Sequence, residues 1–241
     1  LQMLTDANNH LYQRVQQELE HQEEFNANVS HELRTPIAVM HAQCQVSREV
    51  AEKKQDKEAI KSIEVFERQT NRMKNLVDQL LQMTAIDRKG TTFSIEDIDV
   101  RDVIESACDD IAYIDTKHIT FEYSLQPTII QANMNLIYIV INNLLSNAVK
   151  YSNEGAKIYV SCGEKDGKSY IRIQDEGCGI EKENISKIFE SFYREKKDRN
   201  AEGFGLGLSQ AMKIAELYGG GIYVESTKNK GSIFTFFIPK P

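Results

Sequence analysis

The feature that most constrains this chain is a pair of apolar repeats in its first third, each with the three- and four-residue steps of an amphipathic helix. The first repeat consists of Phe25, Val29, Leu33, Ile37, Met40 and Cys44. The second consists of Ile63, Phe66, Met73, Val77, Leu80 and Thr84. The charged segment 52–57 between them predicts a turn, and therefore an antiparallel helical hairpin. One hairpin buries two apolar stripes poorly, so we expect two copies to form a dimeric four-helix bundle.

Residues 30–36, which read Ser-His-Glu-Leu-Arg-Thr-Pro, lie within the first repeat. At about 3.6 residues per turn, His31 faces away from the apolar stripe and into water. Thr35 lies one turn further on the same face, and Glu32 flanks the imidazole. A carboxylate that accepts the protonated ring nitrogen leaves the other nitrogen free for nucleophilic attack. The full pattern favours this interpretation, although the residues alone leave open a surface histidine with a chance acidic neighbour.

The chain divides into four segments by pattern. Residues 1–24 are polar with near-heptad apolar spacing, which fits either a coiled-coil lead-in or a frayed helical tail. Residues 25–87 are the hairpin, residues 88–93 are a linker, and residues 94–241 are a second domain.

The composition limits the classes of function. A hydrophobic content of 41% and a charged content of 27% fit a globular protein. The net charge of -7 argues against nucleic acid as a direct partner, because phosphate contacts need clustered Lys and Arg. The four cysteines are scattered without a C-x-x-C pair, so neither a zinc site nor a disulfide framework is indicated. No stretch is apolar enough to cross a bilayer.

From Phe93 the pattern changes to mixed strands and helices. Helices are predicted at 99–112, 135–151, 183–190 and 207–218. Strands are predicted at 119–125, 128–132, 156–162, 169–174, 222–226 and 232–238. Residues 191–205 are predicted to form a lid. Helices on one face of a mostly antiparallel sheet make an α+β sandwich.

Four clusters in this domain suit a nucleotide. In the first, Asn143, Asn147 and Lys150 share one helical face, where amide oxygens suit Mg²⁺ and the ammonium suits phosphate. A polar surface stripe is the alternative. The second cluster, residues 175–180, follows a strand, and its glycines allow close approach of a flat ligand. There Asp175 can accept a hydrogen bond from an adenine amino group, while an ordinary strand-exit turn is the alternative.

The third cluster is residues 189–194, in which aromatic side chains can pack against the base of the lid and Arg194 can reach phosphate. Core packing of Phe189 and Phe192 is expected in either case. The fourth cluster, residues 203–208, has three glycines at the start of a helix, where backbone N–H groups favour phosphate. It is neither a dinucleotide-binding fingerprint nor a Walker loop.

These residues resemble a known family. Residues 30–36 resemble the phospho-acceptor box of bacterial two-component sensor histidine kinases. The four clusters resemble, in order and spacing, the asparagine, first glycine, phenylalanine and second glycine boxes of the same family's catalytic domain. That domain has the ATP-binding fold of the gyrase, chaperone and histidine-kinase type, shared with mismatch-repair ATPases. The resemblance therefore implies an α plus α/β two-domain protein.

The resemblance also implies roles for individual residues. It implies that His31 is phosphorylated, that Glu32 is a general base or orienting group, and that Thr35 positions a water for dephosphorylation. It implies ATP and Mg²⁺ as cofactors, with Asn143 as the metal ligand. The nucleotide-binding residues that it implies are Asn143, Asn147, Lys150, Tyr151, Asp175, Gly177, Gly179, Ile180, Tyr193, Arg194, Gly203, Gly205, Leu206, Gly207 and Leu208. This sequence departs from the family's pattern at two positions, Phe204 in the second glycine box and Cys178 in the first. Neither departure removes a charged ligand or a glycine.

The implied activity is that of a protein-histidine kinase in two-component signal transduction. Phosphate passes from ATP to His31 and then to an aspartate in the receiver domain of a response regulator, which the protein also dephosphorylates. The resemblance further implies a cytoplasmic location, in an inner- or plasma-membrane receptor whose sensor lies upstream of this chain. Two other classes remain open from the sequence: an ATPase of the chaperone or mismatch-repair type, and a non-catalytic dimeric scaffold that senses ATP.

Overall fold

The computed structural model describes residues 33, 35–87, 93–115, 117–195 and 203–240 of the 241-residue chain. The chain divides into two compact units, Leu1–Thr91 and Thr92–Pro241. The proposed lead-in at 1–24, His31, Glu32 and residues 88–92 of the linker lie outside the described residues.

The first unit is a helical hairpin of α1, described over residues 35–54, and α2, Lys57–Asp87. The turn lies in the charged segment, as the sequence predicted. Asp56 N donates to Ala51 O at 3.0 Å, and Gln55 takes a left-handed backbone conformation with φ of 55°, which together close α1. The Asp56 carboxylate then accepts from Ala59 N at 3.0 Å and caps the start of α2.

Arg48 joins the two helices of the hairpin. Its guanidinium donates to Glu67 across the hairpin at 2.8 Å and to Glu52 on its own helix at 3.0 Å. The buried side chains of this unit, as described, are Ile37, Ala51, Thr70, Val77 and Met83. The two helices therefore share a narrow apolar seam.

The second unit contains seven strands and three α-helices among its described residues. In chain order they are β1 (Glu96–Asp99), α3 (Val100–Ile114), β2 (Thr120–Leu125), β3 (Ile129–Ala132), α4 (Met134–Tyr151), β4 (Lys157–Lys165), β5 (Lys168–Asp175), α5 (Gly207–Leu217), β6 (Gly221–Thr227) and β7 (Gly231–Pro239).

Five strands form one sheet in the order β2-β4-β5-β7-β6. Only β2 and β4 are parallel, and the other neighbours are antiparallel. Burial alternates along β4, β5 and β7, so one face of the sheet is covered by the layer of α3, α4 and α5. The predicted sandwich of helices on a mostly antiparallel sheet is therefore confirmed. In the described ranges, no helix is both long enough and apolar enough to span a bilayer.

One prediction of local structure was wrong. The helix expected at 183–190 is instead two short 3-10 turns, Lys182–Asn184 and Lys187–Phe189. The strand predicted at 128–132 is confirmed as β3, which pairs with β1 in a separate antiparallel ribbon. The sequence patterns did not predict β1.

The first turn of α4 is fixed by Asn133. Its side-chain oxygen accepts from Leu136 N at 3.2 Å, which satisfies one of the free donors at the start of the helix. Its backbone N–H donates to the Tyr218 hydroxyl at 2.9 Å, just beyond the end of α5. The N-terminus of α4 is therefore tied to the neighbouring helix.

The last turn of α4 is fixed by Lys117, which precedes β2. Its ammonium donates to the carbonyl oxygens of Val149 at 3.0 Å, Lys150 at 2.7 Å and Ser152 at 2.8 Å. The final carbonyls of a helix lack partners within the helix and carry partial negative charge. One cation from a distant part of the chain thus satisfies three acceptors at the end of α4.

We expect the substitution Lys117→Met to lower the free energy of unfolding of the second unit by about 1–3 kcal/mol, because the three carbonyls lose a charged donor. Urea unfolding followed by tyrosine absorbance measures this, since Tyr12 is the one tyrosine in the first unit. The matched control is Lys157→Met, which removes an exposed ion pair with Glu122 and should cost less than about 1 kcal/mol. Equal losses in the two variants would contradict a capping role for Lys117.

Candidate functional site

One face of α4 carries the first of the four clusters. Asn143, Asn147 and Lys150 are half-buried there, while Leu144, Leu145 and Ala148 are buried between the helices. This follows from the helical period, because residues three and four apart share a face. The apolar side of α4 packs on α3 and α5, and the two amides and the ammonium lie beside this packing surface and are partly accessible to solvent.

The donor set on α4 fits Mg²⁺ better than a transition metal. Within the described part of the chain, no group of three or more His, Cys, Asp or Glu side chains is arranged to hold a metal ion. Magnesium needs few protein ligands when substrate phosphates and water complete its shell, and an amide oxygen is a suitable ligand. The Asn143 side chain lies against Gly207 at the start of α5, where an added Cβ would come within 2.8 Å of Oδ1. The absence of a side chain at Gly207 therefore leaves room for that amide.

Asp175 ends β5 and is 5% exposed. Its Oδ1 accepts from Gly177 N at 2.8 Å and from Ser232 N at 3.2 Å. Burial raises the pKa of this carboxyl, and the two backbone donors oppose the shift. Both described bonds end on Oδ1, so the geometry is compatible with Oδ2 accepting a hydrogen bond from a ligand.

The loop after β5 is pressed against the end of α4. A Cβ at Gly177 would lie 2.4 Å from the carbonyl oxygen of Tyr151, and Cys178 N donates to that same oxygen at 3.3 Å. Only glycine permits so close an approach of two backbones. The second cluster therefore lies directly beside the helix that carries the first.

The same loop is also fixed on its other side, by the turn between β6 and β7. A Cβ at Gly179, where φ is +61°, would lie 2.0 Å from the carbonyl oxygen of Thr227. Ile180 N donates to the Ser226 hydroxyl at 2.8 Å, and Asn229 N donates to the Cys178 carbonyl at 2.7 Å. The loop is thus held in one conformation beside Asp175.

The third and fourth clusters contact each other, and the fourth cluster also lies close to α4. The Gly205 carbonyl accepts from Phe192 N at 2.9 Å, and a Cβ at Gly205 would lie 2.5 Å from the carbonyl oxygen of Tyr193. A Cβ at Gly203 would lie 3.5 Å from the Lys150 ammonium, which places the fourth cluster within reach of the first.

The structure thus brings together the predicted residues of the four clusters, including the half-buried Tyr193 and Arg194, the buried Leu206 and the half-buried Leu208. The expected core packing of Phe192 was wrong, since this side chain is 58% exposed and its φ is +66°. His31 and Glu32 lie outside the described residues. Thr35 is exposed on α1, in the first unit.

Sequence reasoning missed Lys117, which holds the backbone of Lys150. Its partners lie 32 to 35 residues further along the chain, so no local pattern could have marked it. It acts on the site through the last turn of α4.

We expect Asp175→Asn to leave the free energy of unfolding at neutral pH unchanged or higher. The raised pKa means that ionised Asp175 destabilises the fold at neutral pH, and that this penalty is relieved as the pH falls through the folded-state pKa. If the carboxylate binds adenine, ADP affinity measured by calorimetry should fall about tenfold or more. The control is Glu176→Gln at the exposed neighbouring residue, which should change neither the free energy of unfolding nor the ADP affinity. Unchanged ADP affinity in Asp175→Asn would contradict the adenine assignment.

Two family models match this chain. Residues 21–89 match the His Kinase A (phospho-acceptor) domain, and residues 132–241 match the histidine kinase-, DNA gyrase B- and HSP90-like ATPase. The first match includes His31, and the second includes all four clusters.

Curated relatives span almost the whole chain. Sensor histidine kinase WalK of Bacillus subtilis is 35% identical over 237 residues, which cover 95% of this chain and 39% of the relative. Sensor protein SrrB of Staphylococcus aureus is 31% identical over 229 residues, which cover 90% of this chain and 38% of the relative. The chain therefore spans about two fifths of the length of these relatives.

Solved structures share the fold. ShkA, crystallised in full length with AMPPNP, superimposes with a TM-score of 0.76 at 22% identity, covering 90% of this chain and 45% of that one. The histidine kinase AdeS of Acinetobacter baumannii gives a TM-score of 0.61 at 25% identity, covering 87% of this chain and 97% of that one. With a phospho-acceptor domain followed by an ATPase domain, both matched by family models and by named relatives, the chain belongs to the sensor histidine kinases.

Proposed function

We propose that this chain is the kinase core of a two-component sensor. It transfers the γ-phosphoryl group of ATP to His31, and then from His31 to an aspartate in the receiver domain of a response regulator. The observation that carries the proposal is the convergence of four sequence clusters on one end of α4, in a chain whose first domain matches the phospho-acceptor family. Because ATP and such regulators are cytoplasmic, this function implies a cytoplasmic location.

The nucleotide is held by the second unit in this proposal. Asp175 accepts from the adenine amino group, and Gly177, Gly179 and Ile180 provide the backbone beside the base. Asn143 provides an oxygen for Mg²⁺, which neutralises charge on the triphosphate when bound. The remaining contacts to the phosphates or to the lid come from Asn147, Lys150, Tyr151, Tyr193, Arg194, Gly203, Gly205, Leu206, Gly207 and Leu208.

The proximity of Lys150 to Gly203 supports a phosphate role for this part of the face. A Cβ built on Gly203 lies 3.5 Å from the Lys150 ammonium nitrogen. An ammonium group and a glycine-rich backbone therefore lie next to each other. Backbone N–H groups at a helix start and a lysine ammonium are both suited to phosphate oxygens.

The transfer step follows from the chemistry of imidazole. A neutral His31 ring nitrogen attacks the γ-phosphorus, a nitrogen–phosphorus bond forms, the bond to the β-phosphate oxygen breaks, and ADP leaves. Glu32 accepts the proton from the other ring nitrogen, or holds that nitrogen in place. Most of the rate acceleration comes from in-line positioning and charge neutralisation.

A homodimer through the hairpin is part of the proposal. Leu33, Met40, Phe66 and Met73 are 40%, 42%, 66% and 44% exposed in the single chain. Leu33 and Met40 are seven residues apart, as are Phe66 and Met73, so each pair forms a stripe along its helix. A second hairpin packed on these stripes removes them from water and completes a four-helix bundle.

His31→Gln is the central test. We expect this variant to lose all labelling from radioactive ATP and to retain ADP affinity, because the acceptor nitrogen is lost while the nucleotide residues are unchanged. His41 lies on α1 and provides the control His41→Gln, which should label normally. Acid lability of the label separates phosphohistidine from an ATPase that releases phosphate to water. Persistent labelling of His31→Gln would refute the proposed acceptor.

Thr35→Ala tests the proposed phosphatase activity. Thr35 is exposed on α1, so its hydroxyl is accessible to a water and to a docked regulator. We expect autophosphorylation to continue and dephosphorylation of the phosphorylated regulator to fall at least tenfold, since a hydrogen bond that orients the water is lost. Thr35→Ser retains a hydroxyl and should restore most of the rate. Equal losses of both activities would contradict a specific role for Thr35.

A further inference from the structure

Gln210 is a buried polar residue on α5 that none of the four clusters includes. It is 1% exposed, and its neighbours Ala211, Ile214 and Ala215 are apolar and buried. A buried amide destabilises the fold unless its hydrogen bonds are made. The presence of Gln210 at this position therefore requires a partner for its side chain.

One such partner is Asn143, the proposed magnesium ligand. The Asn143 amide nitrogen Nδ2 donates to Gln210 Oε1 at 3.2 Å, from α4 to α5. This contact joins two helices whose facing side chains are otherwise mostly apolar. It is therefore a specific link between the metal-ligand position and the helix that begins in the fourth cluster.

The direction of this hydrogen bond determines which end of the Asn143 amide is presented to a ligand. An asparagine side chain has a donor end, the NH₂ group, and an acceptor end, the carbonyl oxygen. With Nδ2 turned to Gln210, Oδ1 is directed to the side next to Gly207. Mg²⁺ binds oxygen and not an amide nitrogen, so the opposite orientation would be unable to bind the metal.

We propose that Gln210 is a positioning residue that fixes the Asn143 amide with its carbonyl oxygen toward Mg²⁺. The inference rests on the proposed assignment of Asn143 as metal ligand. Hydrogen-bond partners of metal ligands orient them and commonly change metal affinity by about 10- to 100-fold when they are removed. Gln210 also strengthens the ligand, because accepting from the NH₂ group increases the negative charge on the carbonyl oxygen.

The test compares Gln210→Met, which removes the acceptor at similar volume, with Gln210→Glu, which retains an acceptor. Calorimetry on the full chain measures ADP affinity in EDTA and in increasing MgCl₂. We expect Gln210→Met to weaken Mg²⁺ binding to the ADP complex about tenfold or more, while the affinity for metal-free ADP stays within about twofold of wild type. Gln210→Glu should retain most or all of the change in ADP affinity that MgCl₂ produces in the wild-type protein.

Three results would overturn the inference. They are wild-type Mg²⁺ dependence in Gln210→Met, parallel loss of metal-free and metal-dependent affinity in both variants, and equal loss of the Mg²⁺ effect in both variants. The first of these leaves the proposed function intact. If the wild-type protein bound ADP no better with Mg²⁺ than with EDTA, the proposed metal site would fail as well.

A measurement on the wild-type protein keeps the inference testable if Gln210→Met does not fold. The side-chain amide resonances of Asn143 are assigned in a ¹⁵N spectrum by their loss in Asn143→Asp. We expect these resonances, and those of the Gln210 side chain, to shift when MgCl₂ is added to the ADP complex. A shift at Asn143 without any response at Gln210 would contradict the coupling.

Discussion

Helix α4 is held in place at both ends, and the proposed nucleotide-binding face depends on this constraint. Asn133 caps the first turn and bonds to Tyr218, while the Lys117 ammonium binds three carbonyls at the last turn. A free helix frays within its terminal turns, and Lys150 lies in the final turn. The backbone of Lys150 is therefore held by a residue more than thirty positions away in the chain.

Backbone contacts link this helix to the two glycine clusters. Gly177 approaches the Tyr151 carbonyl, Gly179 approaches Thr227, and Gly205 approaches Tyr193, at separations that leave no space for a Cβ. These glycines hold the loops together before any ligand binds. Preorganisation of this kind lowers the entropy that binding must remove, since the loops are already ordered.

The sequence predicted the elements whose patterns are long and regular. The helix expected at 135–151 is α4, Met134–Tyr151, because its apolar residues keep the helical period over five turns. The segment 183–190 has only two turns of pattern, and that length does not distinguish 3-10 from α-helical structure. The Lys117 contacts and the pairing of β1 with β3 depend on residues distant in the chain, so local sequence did not reveal them. The four clusters were found because each is local, whereas Gln210 is a single residue in an apolar stretch.

The four cysteines differ in a way that is useful for spectroscopy. Cys108 and Cys162 are buried, and burial raises the pKa of Cys108 to about 11, so its thiol remains protonated at neutral pH. Cys178 is exposed between Gly177 and Gly179, next to the proposed adenine contact, and Cys44 is half-buried on the hairpin. With Cys44 changed to serine, a maleimide dye would attach selectively at Cys178. Its emission would then report nucleotide arrival in real time.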